Sequence, residues 1–291
     1  MVLVSLALLL LTAGDVRADD PLSSTPAVPV GHARTKLTAD PITDGAIVSV
    51  SLGFGALSEL VVTTGEIVPQ QPQPSRRLLA IDRLALTKHE SSAGPTSSIG
   101  ALLALAYAVV DPIASGYRDG AGSALVDAVI YAEALSITWA ATNMAKLTVR
   151  RPRPRAYQEQ ERLYEIYGME DAPSITETDT GLSFFSGHTA LVATVTSTAT
   201  YLAFTRSPGT ARPWITLFGG AALTAFVGVQ RVRAGEHFPT DVIAGAMAGA
   251  GIGLLVAHLH RDEASATQSL WIGFNGEPGG GTLSLGGVLS D

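Results

Sequence analysis

The chain of 291 residues contains no cysteine. That removes disulfides, thiolate catalysis and cysteine-ligated metal sites together. It is compatible with an oxidising compartment without requiring one. Charge is scarce as well. Asp, Glu, Lys and Arg make up 15% of the sequence, against roughly 25% in an ordinary soluble domain. The net charge is −7 and the pI is near 5.3, which argues against a nucleic-acid partner. No repeat of fixed period is visible.

Apolar residues are abundant, at 46% of the chain. That is enough to build a core and excludes disorder for most of the length. Whether the apolar surface faces a core or a bilayer is the question it raises. The first 18 residues, MVLVSLALLLLTAGDVRA, have no Lys or Arg ahead of the apolar run Val2–Leu11. In other respects they read as a secretory signal peptide, with Val16 and Ala18 spaced for cleavage before Asp19. As an uncleaved anchor the run is too short to span comfortably. The chain is therefore expected to be exported to the cell envelope. Residues 19–41, rich in Pro, Ser, Thr and Ala, read as a flexible mature N-terminus.

From residue 42 to 260 the pattern is helical. Ile42–Val62 reads as a first helix, and Val68–Arg77 as a Pro/Gln linker. Leu78–Leu86, LLAIDRLAL, reads as a short amphipathic helix lying across the domain. Long apolar stretches follow at Ser97–Val110, Ala121–Leu147, His188–Phe204, Trp214–Gln230 and Asp241–Leu259. The last three each hold about eighteen residues free of Asp, Glu, Lys and Arg beyond their ends, the lower edge for crossing a bilayer. Many are rich in Ala, Gly, Ser and Thr, which allow close helix contact. The tail, residues 261–291, alternates weakly around a Gly/Pro-rich turn and suggests a short terminal β-hairpin.

Polar chemistry concentrates at three places, each at the end of an apolar helix. The first is KLTVRRPRP, where Lys146, Arg150, Arg151, Arg153 and Arg155 lie within ten positions. Pro152 and Pro154 end the helix there and extend the chain. The second is SFFSGHTA. Ser186 suits an N-cap, Gly187 lets its N–H approach a ligand, and His188 stands in the first turn of a helix whose N-terminus attracts anions. The third is QRVRAGEHFPTD, with two arginines, a glutamate, a histidine and an aspartate in twelve positions. Arg231 ends one helix and Pro239 suits the first position of the next. Asp241, four residues after His237, is spaced to reach an imidazole nitrogen and leave the other free to attack.

Each stretch alone has an ordinary reading: a basic loop or topology signal, a Ser-capped helix, a polar loop with a capping aspartate. Together they make an anion cradle with a nucleophile and an acid. No carboxylate cluster suited to Mg²⁺ accompanies them, so the cations must come from the protein itself.

The three stretches, in order and spacing, resemble the type 2 phosphatidic acid phosphatase (PAP2) superfamily, which also contains the vanadium haloperoxidases. Lys146, Arg153 and Pro154 match Lys-x6-Arg-Pro. Ser186, Gly187 and His188 match Pro-Ser-Gly-His, with Phe185 in place of proline. Arg231, His237 and Asp241 match Ser-Arg-x5-His-x3-Asp, with Gln230 in place of serine. The resemblance covers Lys146–Asp241 and, with flanking helices, roughly Ser97–Leu259. It implies an all-α, antiparallel bundle of about six helices. It implies a phosphatase without a metal or other cofactor, working through a phosphohistidine. His237 is then the nucleophile, Asp241 its orienting partner and His188 the acid and base. Lys146, Arg153, Ser186, Gly187 and Arg231 would bind the phosphoryl oxygens, and vanadate would inhibit as a phosphate mimic. Implied substrates are lipid phosphates such as phosphatidate or undecaprenyl pyrophosphate, or small phosphate esters. A vanadium-dependent haloperoxidase and an inactive membrane or scaffold relative are the alternatives.

Two features bear on membrane embedding. Asp127 and Glu133 lie inside one helix and Ser97–Val110 is short, both against spanning. Arg118, Arg206 and Arg212 fall in loops opposite the three stretches, a faint positive bias of the kind cytoplasmic loops carry. The sequence leaves a membrane-embedded form and a soluble periplasmic one both open. His32, His89, His258 and His260 read as structural or surface residues.

Overall fold

A computed structural model describes residues 36–262, 270–277 and 280–287. The signal-peptide reading and most of the N-terminal segment lie outside the described residues. The chain is a helical bundle: α1 (Thr43–Thr63), α2 (Ala93–Asp119), α3 (Ala121–Val149), α4 (Pro154–Tyr167), α5 (Gly187–Arg206), α6 (Arg212–Arg233) and α7 (Pro239–Leu259). Strands β1 (Leu270–Glu277) and β2 (Gly280–Gly287) pair antiparallel, Leu270 opposite Gly287.

The bundle is organised around α5, which packs against α2, α3, α6 and α7, while α1 packs on α3. The closest approach has a simple cause. Gly245, Gly249 and Gly253 recur every fourth residue along α7 and so share one face. A side chain at Gly245 would sit 2.6 Å from the Ser186 carbonyl, and one at Gly253 would sit 2.5 Å from that of Thr194. At Gly249 it would run into the Ala190 carbonyl. Only glycine lets the two backbones come this close, the arrangement small-residue stripes give membrane helices. Thr194 Oγ1 then donates across the seam to the Gly249 carbonyl at 3.0 Å. Ile130, Tyr131, Val192, Val195, Leu202 and Val227 fill the core.

Several elements differ from what the sequence suggested. α2 starts at Ala93 and runs on through Pro112 to Asp119, so it is long, not short. The Asp111–Pro112 pair resembles a helix stop. Yet Asp111 is neutralised inside the bundle by Arg212, at 2.6 Å, and by the Tyr131 hydroxyl at 3.0 Å. LLAIDRLAL forms one helical turn, Ala80–Arg83, instead of a longer amphipathic helix. α4 was not foreseen; Pro154, which fits the first turn of a helix, begins it as well as ending what precedes. Residues 36–41 are not free. Thr38 N–H donates to the His260 carbonyl and Asp262 N–H to that of Lys36, both at 2.9 Å.

The charges that argued against spanning are turned inward. Asp127 is fully buried and held by Arg206, whose Nε lies 2.9 Å from both carboxylate oxygens. Arg206 and Arg212 are thus partners of buried acids, not a bare positive flag. The outer faces of the bundle are apolar instead: Val50, Leu57, Leu102, Val109, Phe218 and Met247 are all exposed. Among the described residues five segments, Thr43–Thr63, Ala93–Asp119, Ala121–Tyr167, Arg212–Arg233 and Pro239–Leu259, are long and apolar enough to cross a membrane.

Candidate active site

The three polar stretches meet at one pole of the bundle. α3 ends because Arg150 adopts a left-handed conformation, φ 49°, which turns the following arginines back over the bundle. Arg153 caps α4 and is almost fully buried. Its Nε donates to the Asp179 carbonyl at 2.8 Å and its Nη2 to Asp179 Oδ1 at 2.6 Å. Its Nη1 pairs with Glu236. Arg155 repeats the pattern, with Nη1 3.0 Å from Glu236 Oε1 and Nη2 2.5 Å from Asp179 Oδ2. Arg231, in the last turn of α6, reaches Glu236 Oε2 at 3.6 Å and Ser97 Oγ at 3.5 Å. The Nε groups of Arg155 and Arg231 are buried with no acceptor among the described residues. Lys146, in the last turn of α3, lies within Coulombic reach of Arg153, Arg231, Asp179 and Glu59.

His237 sits in the loop between α6 and α7, 2% exposed. Its Nδ1 lies 2.7 Å from the Ser183 carbonyl. A carbonyl can only accept, so Nδ1 carries the proton and Nε2 keeps a free lone pair. Burial holds the imidazole pKa well below its ordinary value, and Arg153, Arg231 and Lys146 push it the same way. An imidazole of this tautomer, within electrostatic reach of three cations, keeps the Nε2 lone pair that attack on an electrophile with anionic oxygens requires.

Asp241 is not on the imidazole, contrary to the spacing argument. It lies in the first turn of α7, fully buried. Its carboxylate takes the Ser183 hydroxyl at 2.5 Å, Arg151 Nη1 at 2.5 Å and the Phe238 N–H at 2.9 Å. Closing the N-terminus of its own helix draws the carboxylate back along the chain, as N3 acids do. Asp241 and His237 are thus connected only indirectly, through Ser183 and the Phe238 N–H. Ser186 is likewise turned inward, fully buried with Oγ 2.9 Å from Thr189 Oγ1, and makes no side-chain cap for α5. Gly187 opens α5, and a side chain there would meet Thr142 at 3.1 Å. His188 is half-buried beside it, with Nε2 3.3 Å from Ser98 Oγ.

Sequence reasoning missed a supporting set. Asp82, fully buried on the single helical turn, accepts from Thr240 N–H at 3.1 Å and from Arg151 Nη2 at 2.8 Å. Arg151 stacks over the Phe238 ring at 4.2 Å. Asp179, Ser183 and Glu236 complete it. The only sequence signal was a lone acid in an apolar stretch for Asp82, and one of five clustered basic residues for Arg151.

Residues 127–265 match the sequence model of the PAP2 superfamily, a span that contains all three stretches. In that segment, a little under half of the chain, the sequence resembles the PAP2 superfamily. No curated protein matches the chain. Among solved structures it is similar to the crystal structure of a transmembrane PAP2-type phosphatidylglycerolphosphate phosphatase from Bacillus subtilis. Identity is 17%, coverage is 74% of this chain and 94% of that one, and the TM-score is 0.44. The PAP2 match begins inside α3, so α1 and α2, which supply Glu59, Ser97 and Ser98 to this pole, lie outside it.

Proposed function

We propose that this protein is a membrane-embedded phosphatase that hydrolyses lipid phosphates through a phosphohistidine. The observation that supports the reading is His237: its Nδ1 proton is committed to Ser183, which leaves the Nε2 lone pair, and Arg153, Arg231 and Lys146 are within electrostatic reach. In the first step Nε2 attacks phosphorus and the bond to the leaving oxygen breaks; His188, whose pKa is lowered to about 4 by burial and then by Arg231 and Lys146, takes up a proton as the phosphate anion binds and gives it to that oxygen. In the second, water attacks phosphorus, the P–N bond breaks, and His188 takes the water proton. Lys146, Arg153 and Arg231 balance the charge spread over the phosphoryl oxygens, which is most of what phosphoryl transfer asks of a protein. The Gly187 N–H belongs to the same oxygen-binding set, while the Ser186 hydroxyl, buried against Thr189, is left out of it. The donors gathered here are cationic, so the reading assigns no metal to the reaction.

The lipid part of the proposal is supported by a groove of about 770 Å³ on the bundle surface. Thr189, Val232 and Pro239 line one end, beside Lys88 and Arg233; Ala250 and Leu254 lie farther down. Thr189 and Val232 adjoin His188 and Arg231 in the chain, and Pro239 lies two residues after His237. Cations at the head and an apolar wall below suit an amphiphile with a charged headgroup. Export, with the site facing outward, rests on the signal peptide read in residues 1–18.

The test is phosphate release by the purified protein in detergent from phosphatidate, undecaprenyl pyrophosphate and p-nitrophenyl phosphate, with vanadate and with His237→Ala alongside. Release that vanadate stops and the variant lacks, with acid-labile phosphate trapped on the wild-type chain, is the expected result. Full activity in His237→Ala would overturn it. Bromide oxidation with bound vanadate, in place of phosphate release, would turn the assignment to a haloperoxidase.

A further inference from the structure

At the other end of α7 a second group of titratable side chains converges. Asp241 and His260 are nineteen residues apart along that helix and its cap, about 28 Å at helical rise. There His260, Asp44 from the first turn of α1 and Glu133 from α3 bring one ligand atom each within 4.8 Å of one another, all three residues buried. His260 Nε2 is 3.4 Å from Asp44 Oδ2 and 3.5 Å from Glu133 Oε2. Among the described residues His260 Nε2 and Glu133 Oε2 have no hydrogen-bond partner, and both side chains are 6% exposed.

The arrangement is unfavourable as it stands. His260 Nδ1 lies 2.8 Å from the Val256 carbonyl, which places a proton there. In the neutral ring Nε2 then points a lone pair at two carboxylate oxygens. In the charged ring two carboxylates still face one cation, and 3.4–3.5 Å exceeds the 2.7–2.9 Å or so of a charge-assisted hydrogen bond. The charges that reach Glu133 are those of His260 and Asp44. A buried excess of negative charge is costly unless a cation offsets it.

We propose that Asp44, Glu133 and His260 bind one divalent metal ion of the zinc class, tying α1 and α3 to the end of α7. A tetrahedral ion with bonds of about 2.0–2.2 Å has ligand–ligand edges of about 3.3–3.6 Å, and both distances from His260 Nε2 fall in that range. One imidazole with two carboxylates suits zinc better than calcium or magnesium, which prefer oxygen alone. The outer contacts are also those of a metal site. The Val256 carbonyl fixes the imidazole tautomer, as second-shell acceptors do. The Asp40 N–H holds Asp44 Oδ2 at 2.7 Å. The strap of Lys36–Thr38 against His260–Asp262 pins the helix cap in place. The fourth position falls to water. The ion has a structural role and takes no part at the catalytic pole.

The full chain, purified in detergent and stripped with chelator, is titrated with Zn²⁺ by calorimetry, and metal is counted by mass spectrometry after desalting. One Zn²⁺ per chain and a rise in Tm on loading are expected. Asp44→Asn and Glu133→Gln, each checked for folding by circular dichroism, should weaken binding at least tenfold and lose the Tm rise. His237→Ala should bind as the wild type does, which separates this site from the catalytic histidines. Folded wild-type protein that retains no stoichiometric Zn²⁺, or variants that bind it equally well, would overturn the proposal. The readout is metal content, so failure of the phosphatase assay leaves it standing and its own failure leaves the phosphatase reading standing.

Discussion

The Ser183 carbonyl accepts the Nδ1 proton of His237 at 2.7 Å, while the Ser183 hydroxyl donates to Asp241 at 2.5 Å. One residue thus links the proposed nucleophile, His237, to Asp241. The imidazole is oriented by backbone, and the carboxylate holds that backbone in place. This division of labour has kinetic consequences.

Ser183→Ala keeps the carbonyl and removes only the hydroxyl, so kcat should fall less than about tenfold. Asp241→Ala frees the Ser183 hydroxyl, Arg151 and the Phe238 N–H at once, and kcat should fall about a hundredfold or more, roughly 2.7 kcal/mol of barrier. The double variant should be no slower than Asp241→Ala, because both changes cut one linkage. Steady-state kinetics of the three proteins check this. Simple additivity would mean that Asp241 and Ser183 act separately.

His237 gives a pH signature. Its pKa is depressed by burial, then by Arg153, Arg231 and Lys146. The lone pair therefore persists as pH falls through about 6.5, the ordinary imidazole value, and phosphoenzyme formation should persist with it. Stability moves the other way. Below about 6.5 the unfolded chain takes up a proton that the folded one refuses, so folding loses stability as pH falls from there toward the depressed value. His237→Gln removes that term. Its Tm should drop less than the wild type's between pH 7.5 and 5.5, measured by thermal unfolding in the same detergent.

Much of this could be read from the chain, and the failures share a cause. The apolar runs marked α1, α3, α5, α6 and α7 because length and hydrophobicity are local properties. That Lys146, Arg153, His188, Arg231 and His237 would gather at one pole could be read from the order of the three stretches along the helices. What could not be read was pairing at a distance. Asp111 looked like the end of a helix until Arg212, 101 residues later, was seen to neutralise it. Asp82 looked incidental until Thr240 and Arg151 were seen to converge on it. Asp241 failed differently. Its spacing to His237 was right, but the N–H groups of its own helix end compete for the carboxylate.

Glu236 occupies the cradle. It pairs with Arg153 and Arg155 and stands 3.6 Å from Arg231. A phosphoryl group must approach these guanidinium groups against that negative charge. Glu236→Gln should bind vanadate about fivefold more tightly, the effect of losing roughly 1 kcal/mol of repulsion in a partly screened site. Inhibition constants for both proteins test it. Weaker vanadate binding in the variant would mean that Glu236 serves chiefly to position Arg153.

The Asp127–Arg206 pair tests how the bundle meets its surroundings. Asp127 is fully buried on α3 and the Arg206 side chain is 12% exposed. Two charges taken out of water repay their desolvation only in each other's company. Asp127→Asn leaves Arg206 a cation without its counter-ion and should cost about 3–5 kcal/mol, seen as a clear fall in Tm in detergent. Asp127→Leu with Arg206→Met removes both charges and should recover most of that loss, because shape-matched apolar pairs replace buried ion pairs at little cost. Recovery would place this part of α3 in an apolar environment, as a helix inside a bilayer requires. A single variant as stable as the wild type would mean that water reaches Arg206 and that this end of α3 lies outside the membrane.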